Sequence, residues 1–339
     1  MNVISDNQDP IQIRPIDNST DLIDVANLIE TCFSDHMDAD GYEYLNHIRR
    51  AARDTRFLRW IPGAGEMASY PLHGYVWVEN GKIIGNLTLI PVFVQDHWNY
   101  LIVNVAVHPD YRRRGIARQL TSKGLQHIQD HGAFSAWLQV RDDNPGAISL
   151  YQSLGFAERA QRTTWITDQA PYRRVNLPHF TVLPRKDSEW PLQKDWLNRS
   201  YPPVVSWHLP ISINKFKPSF FNKVEYFFSD LSPKNWTCYK DNRPIGFATL
   251  ESTRQSVDYI WLAVGEEYQD EAVKALLDHI RQNSSPFRPL TINYASHLAV
   301  DSFKSTGFIP QNTLIWMEAP FQSASIPIVK RLLDKLVTF

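Results

Sequence analysis

The sequence predicts an α/β protein made of two copies of one sheet-and-helix unit in tandem. Three observations lead there: an apolar strand that passes through a polar turn into a basic helix start over residues 104–120, an Asn-Gly hairpin just before it, and a series of short matches repeated in the same order in the second half of the chain. At 339 residues the chain is long for a single core and suits two domains.

The elements follow in order. Residues 11–15 (IQIRP) alternate as a short strand and run into Asp17-Asn18-Ser19-Thr20-Asp21, residue types that cap helix N-termini. A helix follows, its apolar face supplied by Leu22, Ile23, Val25, Ala26, Leu28 and Ile29 at roughly helical spacing. Residues 33–41 are a polar break, and 42–56 read as a second helix with a basic end. Over 74–91 two apolar runs flank Asn80-Gly81, the pair that a two-residue type I′ turn prefers because both central positions take positive φ. A strand over 100–107 comes next. The helix after it runs through Leu120, Leu125 and Ile128 to a stop at His131-Gly132. A strand over 134–140, a short helix from Asn144 to Gly155 and a strand over 156–167 complete the first copy. Residues 168–190 contain three prolines and one extended piece, 179–183, and read as a connection. The expected domains are therefore 1–170 and 191–339 with a linker at 171–190, the second ending in an amphipathic helix over 326–339.

The crossing carries the chemistry. Its turn reads His108-Pro109-Asp110-Tyr111, then Arg112, Arg113, Arg114, Gly115, Ile116 and Ala117. Small residues at 115 and 117 let another molecule approach the backbone. Open amides of a helix's first turn, the positive end of its dipole and three arginines together predict a phosphate or pyrophosphate guest. A nucleotide P-loop would need Gly-Lys-Ser/Thr, and a dinucleotide fold G-x-G-x-x-G. Neither occurs here.

A strand ending V-x-V followed by x-P-x-Y-R-x-x-G-x-A resembles the acetyl-coenzyme A motif of the GNAT acyltransferase superfamily. Leu138-Gln139-Val140, Asn144, Ala147 and Leu150-Tyr151-x-x-Leu154-Gly155-Phe156 are similar to its second signature, closest to the protein N-terminal acetyltransferases. The resemblance implies two GNAT-like domains, each a mixed, mostly antiparallel central sheet flanked by helices. It implies acetyl-coenzyme A as cosubstrate and an acetyl transfer to a primary amine, either a small molecule or a peptide N-terminus. The backbone of Val105, Ala106 and Val107 would hold the pantetheine, and an amide there would polarise the thioester carbonyl. The amides of Arg112 to Ala117 would hold the pyrophosphate, Asn144 would bond the cofactor arm, and Tyr151 would protonate the departing thiolate. Where those relatives often carry a glutamate base on the fifth strand, this chain has Gln139, which takes no proton. Asp35, His36, His73 and Asp142 are the remaining candidates for a base. An acyl-coenzyme A sensor without turnover is the alternative.

The second copy loses this chemistry. Ile84-Gly85-x-x-Thr88-Leu89 recurs as Ile245-Gly246-x-x-Thr249-Leu250, Ala106-Val107-x-x-x-Tyr111 as Ala263-Val264-x-x-x-Tyr268, and Gly155-Phe156 as Gly307-Phe308. In this alignment Arg112, Arg113 and Arg114 face Gln269, Asp270 and Glu271, while Gly115 faces Ala272, Ala117 faces Lys274 and Tyr151 faces Phe303. Two acids at a helix start repel an anion. The second domain is expected to be degenerate, with its aromatic stretch over 207–228 available to close an acceptor cleft.

Composition narrows the partners. A formal net charge of -1 argues against nucleic acid recognised by bulk charge. Cys32 and Cys238 lie far apart and form no metal-ligand pattern, so no metal is expected, and no nucleophilic cysteine with a companion histidine suggests a covalent intermediate. The polar N-terminus and the lack of a long apolar run predict a cytoplasmic protein without a membrane partner.

Overall fold

The computed structural model describes residues 12–321 apart from 38, 54–71, 95, 168–173, 176, 203–208, 210, 219–231, 254–256 and 286. The expected helix at 326–339, most of the aromatic stretch 207–228 and the end of the helix expected over 42–56 lie outside these residues. The chain forms two compact units. One comprises Met1–Val140, Asn144–Arg159 and Trp316–Phe339, the other Arg141–Asp143 and Ala160–Ile315.

In the first unit β1 (Gln12–Pro15), β2 (His73–Glu79), β3 (Lys82–Val94) and β4 (His97–Val107) pair antiparallel in that order. Asn80 and Gly81 take φ of 53° and 72°, the two positive values of the expected turn. Next to β4 lies β5 (Ser135–Arg141), running parallel, and residues 316–320 of β12 (Phe308–Pro320) follow beyond it. Side chains alternate between the faces. Val76 packs with α1 (Leu22–Phe33) and α2 (Ala39–Arg53) on one face. On the other face Gly85 lies against Ile116 and Leu120, and Leu87 and Leu89 against Gly124, all three from α3 (Ile116–Asp130). A short helix, α4 (Pro145–Ser153), belongs to the same unit.

In the second unit β6 (Ala157–Thr167) pairs antiparallel with β11 (Leu290–Ala295), which pairs parallel with β10 (Asp258–Val264). Antiparallel β9 (Arg243–Glu251), β8 (Lys234–Lys240) and β7 (Thr181–Pro184) complete the sheet. Its helices are α5 (Trp190–Ser200), α6 (Gln269–Asn283) and α7 (Val300–Ser305). Among the described residues each unit holds one parallel pair among antiparallel ones, so its strand pairing is mixed and mostly antiparallel.

The compact units depart from a division of the chain in sequence order. Residues 160–167 of β6 group with the second unit, Arg162 to Ile166 pairing with β11, while 316–320 join the first. Within the stretch expected as a linker, β7 is a paired edge strand.

The order β2-β3-β4-α3-β5-α4-β6 recurs as β8-β9-β10-α6-β11-α7-β12. Asp241 and Asn242, at φ 49° and 60°, repeat the hairpin turn. Packing corrects the sequence alignment by one residue: Gly85 meets Ile116 and Leu120, whereas Gly246 meets Ala272 and Leu276. Ile116 therefore corresponds to Ala272, and Gly115 to Glu271.

Candidate functional site

Two strands of the first unit part company. β4 and β5 pair from Asn99↔Ser135 to Ile102↔Leu138, where the pairing ends, although β4 continues to Val107. On its other side β4 stays on β3 as far as Gly85↔Val107. Asn86 faces Ala106 and Thr88 faces Val103, so Leu87 alone opposes Asn104 and Val105. This is a β-bulge, with Asn104 at φ 53°. Val105, Ala106 and Val107, the residues expected to hold pantetheine, thus lie on the stretch of β4 that has left β5.

The turn after β4 aims amides outward. Tyr111 N–H bonds the His108 carbonyl at 2.9 Å and Arg112 N–H the Pro109 carbonyl at 3.3 Å. Arg113 (φ 65°) and Gly115 (φ 78°) are left-handed, and Gly115 is the N-cap of α3. The first bond inside the helix is Gln119 N–H to the Gly115 carbonyl at 3.1 Å, so the amides of Ile116, Ala117 and Arg118 have no intrahelical acceptor. A Cβ at Gly115 would meet nothing within 4 Å, which leaves room for a ligand against the backbone. The three arginines are not equivalent. Arg112 Nε donates to the Val107 carbonyl at 3.2 Å; Arg114 grips both oxygens of Glu79 at 3.0–3.2 Å and lies over the Tyr111 ring at 5.3 Å. Cys32 Sγ also donates to the Val107 carbonyl, at 3.3 Å. Burial raises the pKa of that thiol against the opposing pull of Arg112, so it is held as a thiol.

A polar chain crosses the α1/α2 face at the bulge. Asn86 Nδ2 donates to the Asn104 carbonyl at 3.0 Å and to Thr88 Oγ1 at 3.3 Å; Asn104 Nδ2 donates to the Tyr44 hydroxyl at 2.9 Å. Burial pushes the Tyr44 hydroxyl up to about 12, so this phenol stays protonated. Sequence reasoning missed Tyr44, Asn86 and Asn104. The one available signal was an asparagine inside the apolar run 83–90, a position where strands avoid it. Gln139 comes immediately after the last β4–β5 pair, and its Nε2 is buried without a partner among the described residues. Of the candidate bases, Asp35 is exposed and Asp142 groups with the second unit. His73 pairs with Leu89 and influences His127 of α3, which puts it on the opposite face from the polar chain. The side chain of His36 lies outside the described residues.

Asn144 Oδ1 accepts the Ala147 N–H at 3.1 Å and so caps α4, leaving its Nδ2 for other partners. Tyr151 is 7% exposed, and burial pushes its hydroxyl up to about 12. A phenol that keeps its proton through the neutral range can give it to a stronger base.

The second unit treats the same places differently. β10 and β11 pair at Asp258↔Leu290 and Tyr259↔Thr291 and then part. Here Leu262 N–H donates to the Tyr201 hydroxyl at 3.3 Å, with Tyr201 only 1% exposed and the Arg162 guanidinium 5.0 Å from its ring centre. The protein's own tyrosine therefore takes a backbone donor in the parting. The first turn of α6 carries Asp270 and Glu271.

The first unit thus joins parallel strands that diverge beside a bulge to a basic, glycine-capped helix start. The sequence pattern of the Acetyltransferase (GNAT) family matches residues 25–156. Over 64 residues the chain is 41% identical to a "[Ribosomal protein bS18]-alanine N-acetyltransferase" of Salmonella typhimurium, covering 19% of this chain and 43% of that protein. A mycothiol acetyltransferase of Paenarthrobacter aurescens is 39% identical over 64 residues, 19% of this chain and 18% of that one. The aligned segments thus span less than half the length of these relatives. A GCN5-related N-acetyltransferase from Sphaerobacter thermophilus matches the fold with a TM-score of 0.54 at 13% identity, covering 94% of this chain and 99% of that one. Among the described residues no helix is long and apolar enough to cross a membrane, and no three His, Cys, Asp or Glu side chains gather as a metal site.

Proposed function

We propose that the first unit transfers an acetyl group from acetyl-coenzyme A to a primary amine, of a small molecule or a peptide N-terminus, by direct attack in a ternary complex. The observation that carries this reading is the end of β4–β5 pairing after Ile102↔Leu138, on the strand that leads into the open amides of α3. The backbone of Val105, Ala106 and Val107 would pair with the pantetheine arm and polarise the thioester carbonyl. The amides of Arg113, Arg114, Gly115, Ile116 and Ala117 would hold the pyrophosphate; the Arg112 N–H, expected to join them, is taken by the Pro109 carbonyl, and Arg112 and Arg113 would supply side-chain charge that Glu79 does not already neutralise. Asn144 would reach the cofactor arm through its Nδ2. As the amine nitrogen bonds the acetyl carbon and the carbon–sulfur bond breaks, Tyr151 would give its proton to the thiolate.

Attack requires a neutral amine, and Gln139 takes no proton. Neutralising a lysine-type amine of pKa about 10.4 at pH 7 costs about 4–5 kcal/mol, whereas an α-amine of pKa about 8 costs about 1. The acceptor is therefore an amine of low pKa. The two free thiols, Cys32 and Cys238, suit a reducing compartment, and we place the protein in the cytoplasm.

Calorimetric titration of acetyl-coenzyme A, followed by coenzyme A release with alaninamide and with Nα-acetyl-lysinamide as acceptors, tests this. One binding site and faster turnover of alaninamide are expected. The neutral Gln139 favours a second reading, an acyl-coenzyme A sensor, and binding with no turnover of any amine in a broad panel would select it. Absence of binding would overturn both.

A further inference from the structure

One end of the first unit's sheet carries a run of exposed aromatic side chains. Phe93 near the end of β3, Trp98 near the start of β4 and Phe134 just before β5 are 57%, 42% and 44% exposed. Phe93 and Trp98 stand opposite each other in the hairpin, edge to face with ring centres 5.3 Å apart, and Phe134 stacks on His97 at 4.6 Å. The Phe134 N–H donates to the Trp98 carbonyl at 2.8 Å, which ties the two pairs into one patch. Apolar residues exposed singly need no explanation, but contiguous aromatics mark a contact site. The Phe134 carbonyl shows what lies nearest: it accepts the Phe321 N–H at 3.0 Å, and residues 322–339 continue the chain from that point.

The sequence of that segment fits the patch. At about 100° per residue, Ile328, Val329, Leu332, Leu333, Leu336 and Val337 fall on one half of a helix, and Lys330, Arg331, Asp334 and Lys335 fall on the other. Ser325 and Pro327 suit its cap and first turn. We propose that residues 326–339 form a helix whose apolar half is seated on Phe93, Trp98 and Phe134 of the same chain. The tether is short. At up to about 3.5 Å per residue, residues 322–325 keep Ile326 within about 18 Å of Phe321. A linker of this length holds the two faces at an effective concentration of about a millimolar, so the chain's own segment outcompetes a second copy in dilute solution. Charge agrees with the seat. Asp96, in the turn between Phe93 and Trp98, and Asp130, the last residue of α3, are exposed, and the segment carries three cations to one anion. β4 starts at the patch and ends at Val107, so the seat lies about 30 Å from the Arg112–Ala117 crossing. The helix covers apolar surface without entering the candidate coenzyme site, and the proposal stands apart from the acyltransferase reading.

The test is hydrogen exchange on the full chain, read by mass spectrometry. Amides of residues 328–337 are expected to exchange about tenfold or more slowly than in an unstructured chain, equally at about 1 and about 50 µM protein. The double variant Phe93→Ser/Trp98→Ser, which alters exposed side chains only, is expected to remove that protection, and so is Leu332→Asp/Leu336→Asp. Oxidative footprinting gives the reciprocal reading: Trp98 is expected to oxidise about threefold faster or more in the Leu332→Asp/Leu336→Asp chain. Should the aromatic variant fail to fold, footprinting decides, because the two leucines lie outside the sheet. Exchange of the wild-type segment at the unstructured rate overturns the proposal, as does an unchanged Trp98 oxidation rate. Protection that survives loss of Phe93 and Trp98 places the helix elsewhere. Protection that appears only at the higher concentration gives the seat to a second copy, and protection that appears only with anionic lipid vesicles gives the segment to a membrane; each of these three results also overturns it.

Discussion

The two units share one plan and differ in what fills the gap between their parallel strands. In the first, β4 leaves β5 after Ile102 and runs into a helix whose first amides are open. In the second, β10 leaves β11 after Tyr259, but the Tyr201 hydroxyl takes the Leu262 N–H and acids occupy the helix start. The sheet is therefore alike in the two units, and a handful of side chains makes their gaps different. The second helix also begins about one turn earlier relative to the glycine beneath it, so its Tyr268–Glu271 stretch is helix or cap where the first unit has the Arg112–Gly115 loop.

The largest expected contrast is at one equivalent position. Tyr151→Phe should lower kcat about 10²-fold and leave acetyl-coenzyme A affinity intact. Phe303→Ala, its counterpart stacked on Trp165 at 4.7 Å, should leave kcat intact while costing about 3–5 kcal/mol in urea unfolding. Equal kinetic effects would erase the functional difference between the units. Next, Gly115→Glu gives the first unit the residue that the packing alignment places in the second. It should weaken acetyl-coenzyme A binding more than about 30-fold by calorimetry. A wild-type titration showing two equivalent sites would break the comparison outright.

Removing the second unit's internal partner is a smaller perturbation. Tyr201→Phe keeps the ring but strands the Leu262 amide, at an expected cost of about 1–3 kcal/mol read from the urea midpoint. The smallest effect concerns acid. His127 on α3 has a pKa lowered by burial and by His131 and His73, and His279 on α6 one lowered by burial but offset by Asp278. A depressed folded-state pKa means that the unfolded chain binds the proton more readily, so stability is present above the ordinary value near 6.5 and falls as pH drops through the folded-state value. His127→Gln should flatten the fall in Tm between about pH 7 and 5 more than His279→Gln does.

Much of this was legible because local rules and tertiary structure agree. The Asn80-Gly81 turn, the strand into the Arg112–Ala117 crossing and the helix from Asn144 each depend on neighbours in sequence. What was hidden depends on distant partners. The pattern of β6 is the same whichever strand it pairs with, so its union with β11 left no trace. Arg112, Arg113 and Arg114 read as one block of charge until Glu79, far back in the chain, claims Arg114. Asn86 looked like a blemish in an apolar strand because the carbonyl it supports exists only where β4 bulges. The offset between the two copies slipped by one residue because the helix starts share no motif, and only the contact of Gly246 with Ala272 and Leu276 fixes it.

The exchange of strand ends has a consequence for biosynthesis. β5 is complete at Arg141, but the strand that covers its outer edge in the first unit ends at Pro320. At about 5–20 residues per second, the ribosome needs roughly 10–35 s to deliver it. During that interval the nascent first unit carries an uncovered sheet edge, the type of surface on which chains aggregate. Whatever shelters that edge during translation, a chaperone or slow folding of the unit itself, bears on the yield of folded protein.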